Sequence, residues 1–347
     1  MKLRKLIGTA AAAALVLGLA GCGDDATPAG ATEPDDDAGA SLTVYSGRDE
    51  EFVGPLYEQF ETDTGITLDV RYGDSAELAA TIMEEGDSSP ADVFVSQDAG
   101  SLGAVAAEGL LAQIDQEILD RVDERFRSSE GTWVGLSGRA RVAAYNTDEL
   151  TEADLPDSIL GFTDPQWKGR IGFAPTNSSF QAFVAGMIAT EGEDATREFL
   201  EGLVANDPRL YEDNSSTVRG VAAGEIEVGF VNHYYKYEVA AEDGEIPVEN
   251  HFFTGGDPGA LVNAAGAGIL TSSKDPDAAT RLLDYLTGEQ GQTYFAEETW
   301  EYPVVDGYAP AVELVALDDI ESPEIDLSDL AGTLEPALDL LAEVGLL

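Results

Sequence analysis

The chain has 347 residues, 67 of them acidic and 18 basic, which gives a formal net charge of −49. Such a chain repels phosphodiester backbones, so the composition argues against nucleic acid as a partner. The length allows two domains of ordinary size or one discontinuous pair, and the acidic excess is either a generic solvated surface or an adaptation to concentrated salt.

The N-terminus carries the pattern of an exported lipoprotein. Three basic residues precede an apolar run at 6–19, and the sequence Leu-Ala-Gly-Cys follows at 19–22. This pattern predicts a signal peptide over residues 1–22 and lipidation of Cys22, the only cysteine. The alternative is an ordinary secretory signal with an incidental cysteine. Residues 23–40, rich in Asp, Pro, Gly and Ala, are predicted to form a disordered acidic tether.

From residue 41 onward, strand-like and helix-like patterns alternate. Strands are predicted at 42–45, 66–70, 91–95, 139–145, 171–174, 226–231 and 266–270. Helices are predicted at 50–64, 76–85, 99–110, 179–190, 195–203 and 278–286. The alternation predicts an α/β fold with mainly parallel sheets flanked by helices. Ligands of such sheets lie at the carboxyl ends of the strands, so the loops at 46–49 and 96–98 are placed at the edge of a site.

The order of elements predicts two lobes. Residues 41–143 and 268–347 are assigned to lobe 1, and residues 144–267 to lobe 2, which is inserted as one block. The chain would then cross between lobes twice, near 143–147 and 260–268.

An adjacent pair of tyrosines, Tyr234 and Tyr235, follows the strand predicted at 226–231. A phenol ligates metal only after losing a proton near pH ~10, so a pair of phenols favours a hard, highly charged cation such as Fe3+. The other interpretation is structural, with one ring in the core and one at its rim.

Enzyme signatures are weak. The segment Gly-Leu-Ser-Gly at 135–138 lacks the final glycine of a nucleophile elbow, and the chain has two histidines, His233 and His251. The sequence contains no P-loop, no His-Glu-x-x-His motif and no dinucleotide fingerprint. The chain is therefore predicted not to be an enzyme. A secreted hydrolase ranks third, after the two functions given at the end of this subsection.

Two polar segments each open a helix, at 175–179 and 214–217. Their backbone N–H groups form either an anion seat or a simple N-cap. Arg139 and Arg141 lie at alternate positions of one strand, so they share a face on which they either meet an anion or pair with carboxylates.

Six segments together resemble the ferric-iron-binding proteins of bacterial iron(III) ABC transporters. They are VYSG at 44–47, SPADVF at 89–94, LSGR at 136–139, WKGRIG at 167–172, NHYY at 232–235 and DPGALV at 257–262. The resemblance implies the two-lobed fold of type II periplasmic binding proteins, with a ligand cleft between the lobes.

The resemblance also implies a set of site residues. It makes Tyr234 and Tyr235 iron ligands and assigns a synergistic anion, phosphate or carbonate, to a polar set of five residues: Asn177, Ser178, Ser179, Asn214 and Asn232. In lobe 1 the family's histidine ligand falls on Asp49 and its glutamate ligand on Gln97, with Asp98 beside it. Aspartate is a good hard ligand, whereas an amide is weaker.

The function expected from the resemblance is capture of Fe3+ and delivery to an inner-membrane permease and its ATPase. The protein would be a monomer, anchored through Cys22 on the outer face of the cytoplasmic membrane. The alternative function keeps the fold and binds a small anion or organic solute without iron.

Overall fold

A computed structural model describes residues 39–347, so the predicted signal peptide, Cys22 and the predicted tether before residue 39 lie outside the described residues. The strands are β1 Ser41–Ser46, β2 Thr67–Tyr72, β3 Val93–Ser96, β4 Val134–Asn146, β5 Ile171–Phe173, β6 Arg209–Leu210, β7 Val228–Asn232, β8 Val248–His251, β9 Val262–Ile269 and β10 Tyr302–Pro303. The helices are α1 Glu50–Thr64, α2 Ser75–Glu85, α3 Ala99–Ala107, α4 Gln116–Leu119, α5 Ser178–Glu191, α6 Glu193–Ala205, α7 Asn214–Ala222, α8 Tyr235–Asp243, α9 Pro276–Leu286, α10 Glu289–Glu297 and α11 Leu330–Glu343. None of the helices within residues 39–347 is both long and apolar enough to cross a bilayer.

The strands form two mixed sheets that share β4. The first sheet has the order β2-β1-β3-β9-β4, with β10 also paired to β4. The second has the order β4-β7-β5-β6, with β8 also paired to β4. The pairs β1–β2, β1–β3, β5–β6 and β5–β7 are parallel. Each antiparallel pair of these strands includes β4 or β9, and every pair made by the shared strand β4 is antiparallel.

Strand β4 changes sheet in its middle. Residues 134–140 pair with β9, and residues 141–146 pair with β7 or β8. Strand β9 lies wholly in the first sheet. The lobe boundaries at 143 and 267 remain a prediction. If each sheet belongs to one lobe, the chain would pass between lobes at Ala140/Arg141 and just before Val262, a few residues earlier than those boundaries.

The start of β4 was predicted too late. The strand begins at Val134 rather than at 139, and a bulge lies between Gly135 and Ser137. A Cβ atom on Gly135 would lie 2.4 Å from the carbonyl oxygen of Phe126, so the close approach of another segment requires glycine here. Gly135 thus lies at a bulge inside the strand, a position where glycine is common.

Two hydrophobic clusters hold the body together. The larger surrounds the first sheet and also includes Phe173 and Phe230 of the second, together with residues of α5 and α6. The smaller packs α7 and α8 against the second sheet. Tyr234 and Tyr235 belong to the smaller cluster, and Phe52 of α1 packs against both clusters. The tyrosine pair is therefore fixed by packing from the second sheet and contacted by a helix of the first.

Candidate functional site

The two tyrosines lie where β7 ends and α8 begins. Tyr234 is the N-cap residue of α8 and Tyr235 is its first residue. The ring centroids are 4.3 Å apart with an interplanar angle of 32°, and Phe52 meets the ring of Tyr234 edge-on at 6.1 Å. Both side chains are buried, so the expectation of one buried and one rim ring does not describe the pair.

The environment of the phenols keeps them protonated in the metal-free protein. Burial raises the pKa of Tyr234 above its ordinary value, against the opposing effect of the guanidiniums of Arg139 and Arg48. Burial also raises the pKa of Tyr235 well above 10, and the neighbouring Tyr234 adds to that rise. A metal ion that binds here must therefore displace phenolic protons.

A buried ion pair lies beside the tyrosines. Arg48 donates to Glu301 through both terminal nitrogens, at 2.8 and 3.0 Å, and Nε of Arg139 lies 3.9 Å from the same carboxylate. Ser137 and Thr299 donate further hydrogen bonds to Glu301, at 3.1 and 2.9 Å. Burial opposes the charged form, yet the two guanidiniums hold the pKa of Glu301 below its ordinary value. Of the two roles open to Arg139, the structure shows pairing with a carboxylate.

The polar set on the second sheet is preassembled. Asn177 caps α5, and its Oδ1 accepts from the backbone N–H of Ser179 at 3.0 Å and from the hydroxyl of Ser179 at 2.6 Å. Asn214, the first residue of α7, donates to Asn177 at 3.0 Å and to Ser179 at 3.1 Å. Oδ1 of Asn214 has no hydrogen-bond partner. N-capping thus accounts for Asn177, whereas Oδ1 of Asn214 is a free acceptor that suits a hydrogen-bond donor rather than an anion.

Two further members of the set face different neighbours. Ser178 accepts a hydrogen bond of 3.1 Å from the amide of Gln97, which follows β3. This bond joins the first sheet to the second across 81 residues of chain. Asn232, the last residue of β7, is buried beside a small cavity that Arg139 and Arg141 also line.

The two carboxylates predicted in lobe 1 differ in availability. Asp49 is exposed at the start of α1, and its side chain caps nothing there. Asp98 is buried and caps α3 by accepting from the backbone N–H of Ser101 at 2.8 Å and from its hydroxyl at 3.0 Å. Burial raises the pKa of Asp98. The carboxylate of Asp98 therefore already caps α3, whereas the carboxylate of Asp49 has no such role.

A hydrolase would need a histidine paired with a serine hydroxyl, but His233 and His251 contact other groups. His233 is fully buried, accepts at Nδ1 from the backbone N–H of Ala140 at 3.2 Å, and bonds through Nε2 to the carbonyl of Trp300 at 3.0 Å. Burial lowers the pKa of His233 to about 4. His251 contacts Glu152 at 3.3 Å. The structure therefore gives each imidazole a partner other than a serine hydroxyl.

Sequence reasoning did not identify Arg48 and Glu301. They are 253 residues apart, and no local pattern marks the glutamate. The scarcity of basic residues could have drawn attention to Arg48, which directly precedes the predicted ligand Asp49. In residues 39–347, no three His, Cys, Asp or Glu side chains gather so that they could hold a metal ion; the phenols of the site lie outside those residue types.

Known proteins share this fold and about a third of the aligned residues, as the following comparisons show. A family model described as bacterial extracellular solute-binding protein matches residues 88–328. A relative from Serratia marcescens, the Fe(3+)-binding periplasmic protein, is 34% identical over 89% of this chain and 92% of its own length.

Two solved structures agree with these matches. Iron-bound HitA from Pseudomonas aeruginosa is 35% identical, with a TM-score of 0.83, and the match covers 88% of this chain and 99% of that one. The Trichodesmium protein IdiA (FutA), solved with iron and citrate, is 27% identical, with a TM-score of 0.75 over 89% of this chain and 100% of that one.

These matches confirm the α/β, two-lobed periplasmic-binding-protein fold and the resemblance to ferric-iron-binding proteins that the sequence indicated. The family model spans more than half of the chain, and the Serratia relative spans most of it. The chain belongs to the bacterial extracellular solute-binding protein family.

Proposed function

We propose that this protein captures ferric iron with the phenolates of Tyr234 and Tyr235. The observation that carries the proposal is the pair of buried, adjacent phenols, with ring centroids 4.3 Å apart, beside the guanidiniums of Arg48 and Arg139. The guanidiniums favour the charged form of Tyr234, so they lower the cost of forming a phenolate there. The Serratia relative is named for Fe3+ binding, and the Pseudomonas structure is iron-bound, which supports the same cargo.

From the first sheet, Asp49 is the proposed third protein ligand. Its carboxylate is exposed and uncommitted, and it lies in the turn that also carries Arg48, the guanidinium near the tyrosines. Carboxylate oxygen is a hard ligand suited to Fe3+. Gln97 has a different proposed role, since its amide already donates to Ser178 and so faces the anion-binding residues.

A synergistic anion, phosphate or carbonate, is proposed to bind at the N-terminal ends of α5 and α7. Helix N-termini present free N–H groups and a partial positive charge to an anion. The seat consists of Asn177, Ser178, Ser179, Asn214 and Asn232. Because the metal and the anion each draw contacts from both sheets, ligand binding is expected to favour a closed form of the cleft.

The proposed role in the cell is that of the substrate-binding component of an ABC importer. The chain would work as a monomer, tethered by lipidated Cys22 to the outer face of the cytoplasmic membrane, and would pass Fe3+ to a permease and its ATPase. Membership of an extracellular solute-binding family supports this role. No catalytic function is proposed.

The iron proposal is tested by titrating metal-free protein with ferric citrate. Tyrosinate coordination should produce a visible charge-transfer band and raise Tm in proportion to occupancy. Tyr234→Phe and Tyr235→Phe should each weaken the band while keeping the ring. Tyr237→Phe is the matched control, because Tyr237 lies in the same helix with its hydroxyl 3.4 Å from the carbonyl of Glu313. A parent protein that stays colourless and gains no thermal stability would refute the proposal.

A second candidate function is capture of a small anion or organic solute without iron. The network of Asn177, Ser179 and Asn214 favours it, because it lies at the N-terminal ends of α5 and α7, where backbone N–H groups can donate to an anion. Phosphate would then raise Tm of metal-free protein, and iron would add nothing. If phosphate acts only after iron is present, this candidate fails.

A further inference from the structure

Arg139 and Arg141 are buried, and two nitrogens of each guanidinium make no hydrogen bond. Nε and Nη1 of each guanidinium have no hydrogen-bond partner, whereas Nη2 of Arg141 donates to the carbonyl of Phe230 at 2.9 Å. Only 2% of Arg139 and 3% of Arg141 is exposed to solvent. Buried polar groups in folded proteins are nearly always satisfied, and an unpaired buried cation is especially unfavourable. Some partner for these nitrogens is therefore required.

The two guanidiniums line one small cavity. Ser179, Asn232 and Asn263 line it as well, and all five of these side chains are buried. The volume is ≈ 10 Å³, which is room for about one water-sized particle. A multi-atom oxyanion such as phosphate needs more space. The cavity shares Ser179 and Asn232 with the proposed phosphate or carbonate seat, but its size calls for a smaller occupant.

The charges around the cavity leave one positive charge without a counterpart. Three buried guanidiniums, those of Arg48, Arg139 and Arg141, face two buried carboxylates, those of Glu301 and Asp98. Arg48 and Arg139 both act on Glu301, and Asp98 lies within electrostatic reach of Arg139. Arg141 has no carboxylate partner among the described ion pairs. Burial lowers the pKa of Arg141 to about 9, against the opposing effect of Tyr235 and Tyr234.

The surroundings of Arg141 hold its guanidinium in place. Its carbon Cζ lies 5.3 Å from the ring centroids of both Phe180 and Phe183. Cation–π contacts of this kind orient the group, but they accept no hydrogen bonds at the guanidinium edge. The unpaired Nε and Nη1 therefore stay available to an occupant of the cavity.

We propose that this cavity binds one monatomic anion of the halide class, such as chloride, between Arg139 and Arg141. A water molecule accepts two hydrogen bonds, must donate two of its own, and carries no charge. Four buried nitrogens make no hydrogen bond, although Nε of Arg139 lies 3.9 Å from the carboxylate of Glu301, and the charge of Arg141 has no carboxylate partner among the described ion pairs. A halide accepts donors from every direction and supplies the missing charge. The inference does not rest on iron, since it concerns the metal-free protein.

Direct observation is the first test. Crystals of iron-free protein grown in sodium bromide, without phosphate, should show an anomalous scattering peak in the cavity, next to the guanidiniums of Arg139 and Arg141. In solution, Tm of iron-free protein should rise with the logarithm of chloride or bromide concentration when methanesulfonate replaces the halide at constant ionic strength. An empty or water-filled cavity in the bromide crystals would overturn the proposal.

A substitution that introduces a carboxylate into the cavity wall gives the first variant. Asn263→Asp adds a negative charge to the cavity wall, and Oδ1 at this position already accepts from the N–H groups of Ala99 and Ala264, at 3.3 and 2.8 Å. This variant should lose both the bromide peak and the halide dependence of Tm. Gln113→Glu adds the same charge at an exposed site and should keep both.

If the Asn263 variant does not fold, Arg141→Met serves as the second variant. It keeps an unbranched stem against Phe180 and Phe183 and removes the excess charge. The halide dependence of Tm should again disappear. Retention of the full dependence in either folded variant would contradict the proposal.

Discussion

The ion pair of Arg48 and Glu301 gives the sharpest test of how the site is built. We expect Glu301→Gln to destabilise the metal-free protein strongly, because the carboxamide keeps the size of the side chain but loses its charge. Arg48, Ser137 and Thr299 all donate to the present carboxylate. The NH2 group of the glutamine is itself a donor, so it could not accept these hydrogen bonds. Arg48 would then be a buried cation without its partner.

The size of the effect follows from burial. Removing one member of a fully buried pair costs about 3–5 kcal/mol, because the remaining charge stays desolvated. At roughly 2 °C per kcal/mol for a body of this size, Tm should fall by about 6–10 °C. The control is Glu242→Gln, which breaks a pair with Arg219 at the exposed surface and should change Tm by no more than about 2 °C.

The difference between parent and variant should also depend on pH. The folded pKa of Glu301 is below its ordinary value of 4.5, so the unfolded chain takes up a proton first as pH falls. The stability from this group is therefore present above pH 4.5 and is lost as pH falls through the folded pKa. Differential scanning calorimetry should show the gap in Tm at neutral pH and a smaller gap in acid. Equal Tm values for Glu301→Gln and Glu242→Gln at neutral pH would refute the reasoning.

Three further results are expected. Iron binding at neutral pH should release about two protons, one from each of Tyr234 and Tyr235, because burial keeps both phenols neutral before metal arrives; a pH-stat titration with no proton release would contradict this. Asp49→Asn should lower iron affinity and leave Tm of metal-free protein nearly unchanged, whereas Asp98→Ala should lower Tm through loss of about 0.5–2 kcal/mol of capping and leave iron affinity intact; the opposite pattern would exchange their roles. Gln97→Ala should weaken the effect of phosphate on iron affinity, because it removes the contact with Ser178, and an unchanged phosphate dependence in equilibrium titrations would argue against that contact.

Much of the fold could be predicted because its signals are local. The helix predicted at 50–64 matches α1, and the strand predicted at 226–231 overlaps β7. Apolar periodicity and turn residues lie within a few positions of each other, so a short window of sequence contains them. The strands that are two residues long, β6 and β10, were not predicted, because so short a segment has no period to detect.

The site was predictable only in part, for the same reason. The tyrosine pair is adjacent in sequence, so its chemistry was visible before its surroundings were. Glu301 owes its role to partners 164 and 253 residues away, and no window contains them together. Asp98 presents the reverse case, because its residue type suits a metal while its side chain caps the start of α3.

The strand β4 also has a consequence for how the molecule comes apart. Its first half is hydrogen-bonded to β9 and its second half to β7 and β8, and all of its residues are buried. If either sheet unfolds, it releases β4, and the other sheet then loses one of its strands. The body should therefore melt as a single cooperative unit rather than lobe by lobe. The amide of Arg141, bonded to the carbonyl of Leu261 at 3.0 Å where β4 changes sheet, should exchange its hydrogen only through global unfolding.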